Sequence, residues 1–261
     1  MKPIPHIIHY CWFGHKPLPP LSRKCIDSWR QHFPDYEIKE WTEENLDVTT
    51  VPYVAEAYRA GKYAFVSDYF RFWLLYNEGG VYFDTDVEVI RSFDDLLACG
   101  PFMGGEFPRD GSVKGYLGHT LEWTLNPGLG MAAEQGNPFL KEMLDDYDQM
   151  HFINPDGSMN LKVIGEYTTE HLLQHGLEPQ KGNQTVVGFN LYTSEYLCPV
   201  KDNRGRWVTT ENTHSIHHFA GTWLTPGKRL KNWVMRDLLP TGMARCVFKI
   251  KRQITRNNHL G

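Results

Sequence analysis

Residues 79–90, Gly-Gly-Val-Tyr-Phe-Asp-Thr-Asp-Val-Glu-Val-Ile, set two acids two positions apart inside a run of strand formers, and no other stretch constrains the chain as much. Val81 and Phe83 before the acids, and Val87 and Val89 after them, have the β-branched and aromatic character of a buried strand, with Gly79 and Gly80 as the break in front. Residues i and i+2 of a strand face one way, so Asp84 and Asp86 are expected to bring their carboxylates to one place. Two ionised carboxylates side by side repel unless a cation neutralises them. A hard divalent ion is the natural partner, and such an ion commonly carries a nucleotide diphosphate with it. The plainer alternative is a loop at the strand end with both acids in water.

The segment just upstream, residues 67–78, reads as a helix. Ser67 is a good N-cap, Asp68 suits the first turn against the helix dipole, and Gly79 is a good terminator. Asp68 and Arg71 are three apart and share a face. Alone they are an ordinary ion pair; directly before an acidic strand they become candidates for the same site.

This pattern, Ser67-Asp68-x-x-Arg71 followed by Gly79-Gly80-Val81-Tyr82-x-Asp84-x-Asp86, resembles the sugar-binding region of DXD-type glycosyltransferases. The nearest likeness is to the glycosyltransferase family 32-like group, which includes yeast initiating α-mannosyltransferases and bacterial capsular polysaccharide transferases, and more distantly to the glucosylating clostridial toxins. It runs without a gap over residues 64–94. Residues 4–14, Ile-Pro-His-Ile-Ile-His-Tyr-Cys-Trp-Phe-Gly, resemble that family's first strand, and residues 216–223, Ile-His-His-Phe-Ala-Gly-Thr-Trp, resemble its closing metal and phosphate loop. A lone D-x-D is weak evidence, whereas three family segments in order over most of the chain are strong.

The resemblance implies a metal-dependent, retaining transferase that uses Mn2+ (or Mg2+) and a nucleotide-sugar donor, UDP-linked first and GDP-linked second. Asp86 is then the direct metal ligand, and Asp84 acts on the ribose hydroxyls or on the metal through water. Trp12 stacks on the base, with a core tryptophan as the rival reading. Asp68 and Arg71 hold ribose and sugar hydroxyls, Tyr82 lies beside the nucleotide, and Trp223 meets the diphosphate through its indole N–H. His218 is the expected metal-ligand histidine and His217 the fallback, since neighbouring residues of a strand face opposite ways and only one should reach the ion. No second carboxylate stands out as a covalent nucleophile, which favours front-face attack by the acceptor hydroxyl.

Length and composition agree. A chain of 261 residues can bury one good core. Eight Trp suit stacking on bases and sugars, although most such rings will be core. A net charge of −4 argues against a general nucleic-acid role. The five cysteines are scattered without zinc spacing, the usage of a reducing compartment. Met1-Lys2-Pro3-Ile4-Pro5-His6 has no apolar signal core, no run is long enough to span a bilayer, and Asn183-Gln184-Thr185 is expected to go unglycosylated. The expectation is an enzyme of the bacterial cytoplasm, at the inner face of the membrane, acting in surface polysaccharide synthesis on a glycan or lipid-linked glycan acceptor.

Along the chain, strands at 4–13 and 36–41 and helices at 22–32 and 54–60 precede the segments already described. A short helix at 92–98, a mixed Gly- and aromatic-rich stretch at 101–129 that suits short antiparallel strands around a binding site, helices opened by Asn137-Pro138 and over 168–174, and short strands at 185–187 and 215–218 follow. Alternation of this kind predicts an α/β fold with a mostly parallel sheet and helices on both faces, ligands binding beyond the carboxyl ends of the strands. By resemblance it is the GT-A glycosyltransferase fold, with residues 1–242 as the catalytic domain. Residues 243–261 read as a basic amphipathic tail, fit either to touch an anionic membrane or to pack on the domain. Val163-Ile164-Gly165-Glu166 stands where many relatives carry Thr-Gly-Pro.

Two other classes compete. A haloacid dehalogenase-type phosphohydrolase also places Asp-x-Asp after a strand, but needs a later acidic pair, for which Asp145-Asp146 is the candidate and falls in a helical pattern. A non-catalytic carbohydrate-binding protein would account for the aromatics alone.

Overall fold

The structure, a computed structural model, describes residues 2–107, 114–116, 119–121, 123–178, 180–202, 205–221 and 227. In chain order it comprises β1 (Ile7–Cys11), α1 (Pro20–His32), β2 (Glu37–Trp41), α2 (Pro52–Arg59), α3 (Tyr63–Glu78), β3 (Gly80–Tyr82), β4 (Val87–Val89), α4 (Asp94–Ala98), β5 (Phe102–Glu106), β6 (Lys114–Tyr116), β7 (His119–Leu121) and β8 (Thr124–Leu125). A 3-10 turn at Pro127–Leu129 leads into β9 (Met131–Ala133), α5 (Pro138–Gln149), α6 (Ile164–Gln174), β10 (Gln184–Val186), β11 (Phe189–Tyr192), α7 (Ser194–Leu197) and β12 (Ser215–His217). Trp223 and the 243–261 tail lie outside the described residues.

The main sheet runs β10-β11-β5-β9-β3-β1-β2. β2, β1 and β3 are parallel, and β9 lies antiparallel between β3 and β5, which makes β5 and its parallel neighbour β11 run the same way as β3. Antiparallel β10 closes one edge. The α/β architecture with strands mostly in one direction is therefore the one observed.

Strand periodicity separates two apolar cores. Ile8, Val81, Phe102 and Ala132 join Ile26 and Trp29 of α1, Leu96 of α4 and Leu197 of α7 on one side. Tyr82, Met103, Met131 and Ala133 point the other way, to α2, α3, α5 and α6. Helices thus cover both faces. No helix among the described residues is long and apolar enough to cross a membrane.

Most expected elements stand within two or three residues of where the sequence puts them. The Asn137 carboxamide accepts from the N–H groups of Phe139 and Leu140, with Pro138 in the first turn of α5. Two local expectations need correcting. Ser67 is not an N-cap, because α3 begins a turn earlier at Tyr63, and the Ser67 hydroxyl donates to the Tyr63 carbonyl at 3.2 Å. Burial of Phe65 and Val66 extends the helix past the capping signal, as expected for a helix apolar nearly all round. Asp68 accordingly sits within α3, not in its first turn.

The second correction concerns the acidic strand. Asp84 and Asp86 occupy a turn between β3 and β4, in which the Val87 N–H donates to the Asp84 carbonyl at 3.1 Å. The terminator is as expected: Gly79 adopts φ 68° and donates to the Leu75 carbonyl. Gly80 follows with φ 108°, where a Cβ would stand 2.5 Å from the Ile7 carbonyl oxygen, so both the backbone and the β1–β3 approach require glycine.

Candidate active site

The turn that carries the acids is held from three sides. From α1, the fully buried Trp29 donates its indole N–H to the Val87 carbonyl at 2.8 Å, and the Ser28 hydroxyl accepts from the Val89 N–H at 2.9 Å. The Asp84 N–H donates to the Gly128 carbonyl at 3.0 Å. β12 pairs antiparallel with β4 and sets His217 opposite Val87. These contacts bring together what strand periodicity alone does not.

Asp84, Asp86 and His217 offer ligand atoms that all lie within 4.8 Å of one another. His217 Nε2 is 2.9 Å from Asp86 Oδ1, and the Ala220 N–H donates to Asp86 Oδ2 at 2.7 Å. His218, the histidine expected at the ion, instead turns its Nε2 to Glu88 at 2.7 Å. Glu88 also takes Lys24 at 2.7 Å. Alternation along a strand holds, but its phase is reversed: register with β4 aims His217, the fallback, at the acidic pair.

Arg71 and Asp68 reach the same place from α3. Arg71 Nη2 contacts Asp68 Oδ1 at 2.9 Å and Asp84 Oδ1 at 3.3 Å. Arg71 is 3% exposed and Asp68 7%, so this is a buried ion pair shared with a partly open one. Arg71 Nη1 is buried with no hydrogen-bond partner among the described residues. Such an orphaned donor at a site edge calls for an acceptor from a ligand or ordered water. Tyr82 is 1% exposed and lies beneath Arg71, whose Cζ is 5.2 Å from the ring centroid. It therefore stands behind the site as a support for the guanidinium, not at the surface expected of a nucleotide contact.

Charge follows from these neighbours. Burial pushes Asp68 up to about 7, with Arg71 pulling down and Asp84 adding to the rise. Burial also holds Asp84 above the ordinary carboxylate range, against the pull of Arg71 and His217. For Asp86 burial acts in the same sense but is outweighed by His217 and by the Ala220 hydrogen bond, which bring it to about 2. One guanidinium among three carboxylates leaves an excess of negative charge, which a divalent cation would offset. Carboxylate oxygens with one imidazole nitrogen form a donor set that suits manganese or magnesium. The residues present therefore fit such an ion.

Trp12 follows β1 directly, and its backbone N–H donates to the Trp41 carbonyl at 2.8 Å. β1 and β3 are neighbours in parallel register, Ile8 with Val81 and His9 with Tyr82, so Trp12 and the acidic turn leave the same end of the sheet. Its ring is only partly buried against the core.

Residues 126–130 were not singled out by sequence. Asn126, Gly128 and Glu106 of β5 form a hydrogen-bonded set against the acidic turn, within the stretch 101–129 that the sequence marks only as a whole, as short antiparallel strands around a binding site. Among the described residues, the candidate for the later acidic pair of a phosphohydrolase lies away from this site. Asp145 and Asp146 lie in α5, paired with Lys141 and with His171 respectively.

Comparison with known proteins agrees with the resemblance. Residues 19–102 match the family described as "Glycosyltransferase sugar-binding region containing DXD motif". The chain is 34% identical over 102 residues to inositol phosphoceramide mannosyltransferase 3 of Schizosaccharomyces pombe, covering 36% of this chain and 27% of that protein. It is 24% identical over 190 residues to the initiation-specific alpha-1,6-mannosyltransferase of Candida albicans, covering 63% and 48%. The match thus spans less than half the length of either relative. Among solved structures, PaToxG glycosyltransferase superposes with a TM-score of 0.46 at 21% identity, covering 66% of this chain and 70% of that one.

Proposed function

We propose that this chain, whose residues 19–102 carry a DXD-containing glycosyltransferase region, is a metal-dependent retaining hexosyltransferase acting on a nucleotide-sugar donor. The observation that carries this reading is the meeting of Asp84, Asp86 and His217 within 4.8 Å beside the buried Asp68–Arg71 pair. A manganese or magnesium ion held by Asp86 and His217, with Asp84 directly or through water, would offset charge on the leaving diphosphate.

The chain's own groups account for the rest. Arg71 Nη1 donates to a donor hydroxyl or phosphate oxygen, and Asp68 fixes the guanidinium that presents it. Trp12 offers a ring face to the base at the mouth of the site. Transfer with retention leaves the acceptor hydroxyl to attack on the face from which the diphosphate departs, its proton passing to a phosphate oxygen. The two mannosyltransferase relatives support a hexosyl donor, and the name of the first supports a lipid-linked acceptor beside a glycan one. Work at the inner face of a bacterial membrane in surface polysaccharide synthesis belongs to the same proposal.

Metal titration tests the ligand set. His217→Ala is expected to raise the manganese concentration for half-maximal donor hydrolysis by about 10-fold or more, in the range of a weakened metal site, whereas His218→Ala leaves it near the parent value. A shift confined to His218→Ala would return the ligand role to His218.

Trp12 supplies a separate test. Trp12→Ala is expected to weaken nucleoside diphosphate binding by about 1–3 kcal/mol, the scale of base–aromatic stacking, as read by isothermal titration. Unchanged affinity in a well-folded variant would make Trp12 part of the core.

A further inference from the structure

We infer that Glu106 and Asn126 are positioning residues that set the metal affinity of the site by clamping the 126–130 loop against Asp84, an inference that rests on the metal reading above. Asn126 Oδ1 accepts from the Gly128 N–H at 2.9 Å, and its Nδ2 donates to Glu106 Oε2 at 3.1 Å. Two backbone bonds complete the loop. The Asn126 N–H donates to the Gly104 carbonyl at 2.9 Å, and the Leu129 N–H donates to the Asn126 carbonyl at 3.1 Å. The Gly128 carbonyl then receives the Asp84 N–H at 3.0 Å. A hydrogen-bonded path therefore runs from the end of β5 to the first acid of the metal cluster.

The approach is close enough to leave no room for a side chain. A Cβ on Gly128 would stand 2.1 Å from Asp84 Oδ2 and 3.0 Å from Arg71 Nη1. Gly128 is not among the residues with positive φ, so the glycine is needed for space and not for backbone conformation. The loop backbone thus forms one wall of the box that holds the Asp84 carboxylate and the Arg71 guanidinium, and the Asn126–Glu106 pair fixes where that wall stands. Ligand orientation by a second layer of hydrogen bonds is a general property of metal sites, with losses of about 10- to 100-fold in affinity when it is removed.

Manganese binding to the full chain without nucleotide, followed by the electron paramagnetic resonance signal of the free ion, tests the inference, with melting in chelator as the folding control. Asn126→Ala is expected to weaken manganese binding by about 10-fold or more with little change of melting temperature in chelator. Glu106→Ala should lose part of this affinity, and Glu106→Gln, which keeps an oxygen to accept from Asn126, should recover most of it. Gly128→Ala should give the largest loss, because its methyl group displaces Asp84 directly. Parent-like binding by Asn126→Ala and Glu106→Ala would overturn the clamp while leaving the metal site intact. Losses that track melting temperature, with no recovery in Glu106→Gln, would overturn it in favour of general loop stability. Absence of manganese binding by the parent protein would instead refute the metal reading itself.

Discussion

Asp86→Asn is expected to lower nucleotide-sugar turnover by at least about 100-fold and to abolish the rise in melting temperature on adding manganese, while in chelator it still unfolds cooperatively, at a lower temperature than the parent at neutral pH. The fold should survive because asparagine keeps an oxygen for the Ala220 N–H and an amide facing His217. What it lacks is the negative charge, and Asp86 with a pKa of about 2 carries that charge throughout the working range. The same shift fixes the acid side of the stability curve. An aspartate that titrates near 3.9 when unfolded and near 2 when folded stabilises the fold fully above about pH 4. That contribution fades as pH falls through 2, so the parent and Asp86→Asn should converge there. Parent-like turnover by Asp86→Asn, with the usual metal requirement, would remove Asp86 from the site.

The largest effect on stability is expected from Arg71→Met. Arg71 is 3% exposed and its guanidinium bridges Asp68 and Asp84, so its loss removes the cation that favours the ionised form of both buried carboxyls. Breaking a buried pair by removing one partner costs about 3–5 kcal/mol, on the order of 10 °C in melting temperature for a domain of this size. Methionine fills much of the same volume over Tyr82, so the loss reports charge and not a cavity. Adding Asp68→Asn to Arg71→Met should restore part of the stability, because one of the two buried carboxyls is gone. If Arg71→Met melts with the parent, the cluster is not a buried ionic network.

Local signals account for what the sequence made legible. The order of strands and helices follows from apolar periodicity broken by Gly, Pro and Asn, as at Asn137-Pro138 and Gly79. Ser67 misled because a capping preference of about 1 kcal/mol is weak beside the burial of Phe65 and Val66 in the preceding turn. Asp84, Asp86, Asp68 and Arg71 were legible as a group, and they do converge. The choice between His217 and His218 was not, since it depends on the pairing of β12 with β4, a register that joins segments more than a hundred residues apart. Gly128 escaped for a related reason: the contact that makes it necessary is with Asp84, across the interior of the fold. Trp223 lies outside the described residues and remains an expectation of the family likeness alone.

On the proposed reading, this site cleaves nucleotide sugars by metal-assisted departure of a nucleoside diphosphate. Incubation of the protein with a panel of UDP- and GDP-hexoses, with and without manganese, tests it most directly when nucleoside diphosphate and inorganic phosphate are both measured. The expected result is slow, manganese-dependent release of nucleoside diphosphate from at least one donor, lost in Asp86→Asn, with no inorganic phosphate. Release of inorganic phosphate, or of nucleoside diphosphate at equal rates with and without metal, would contradict it.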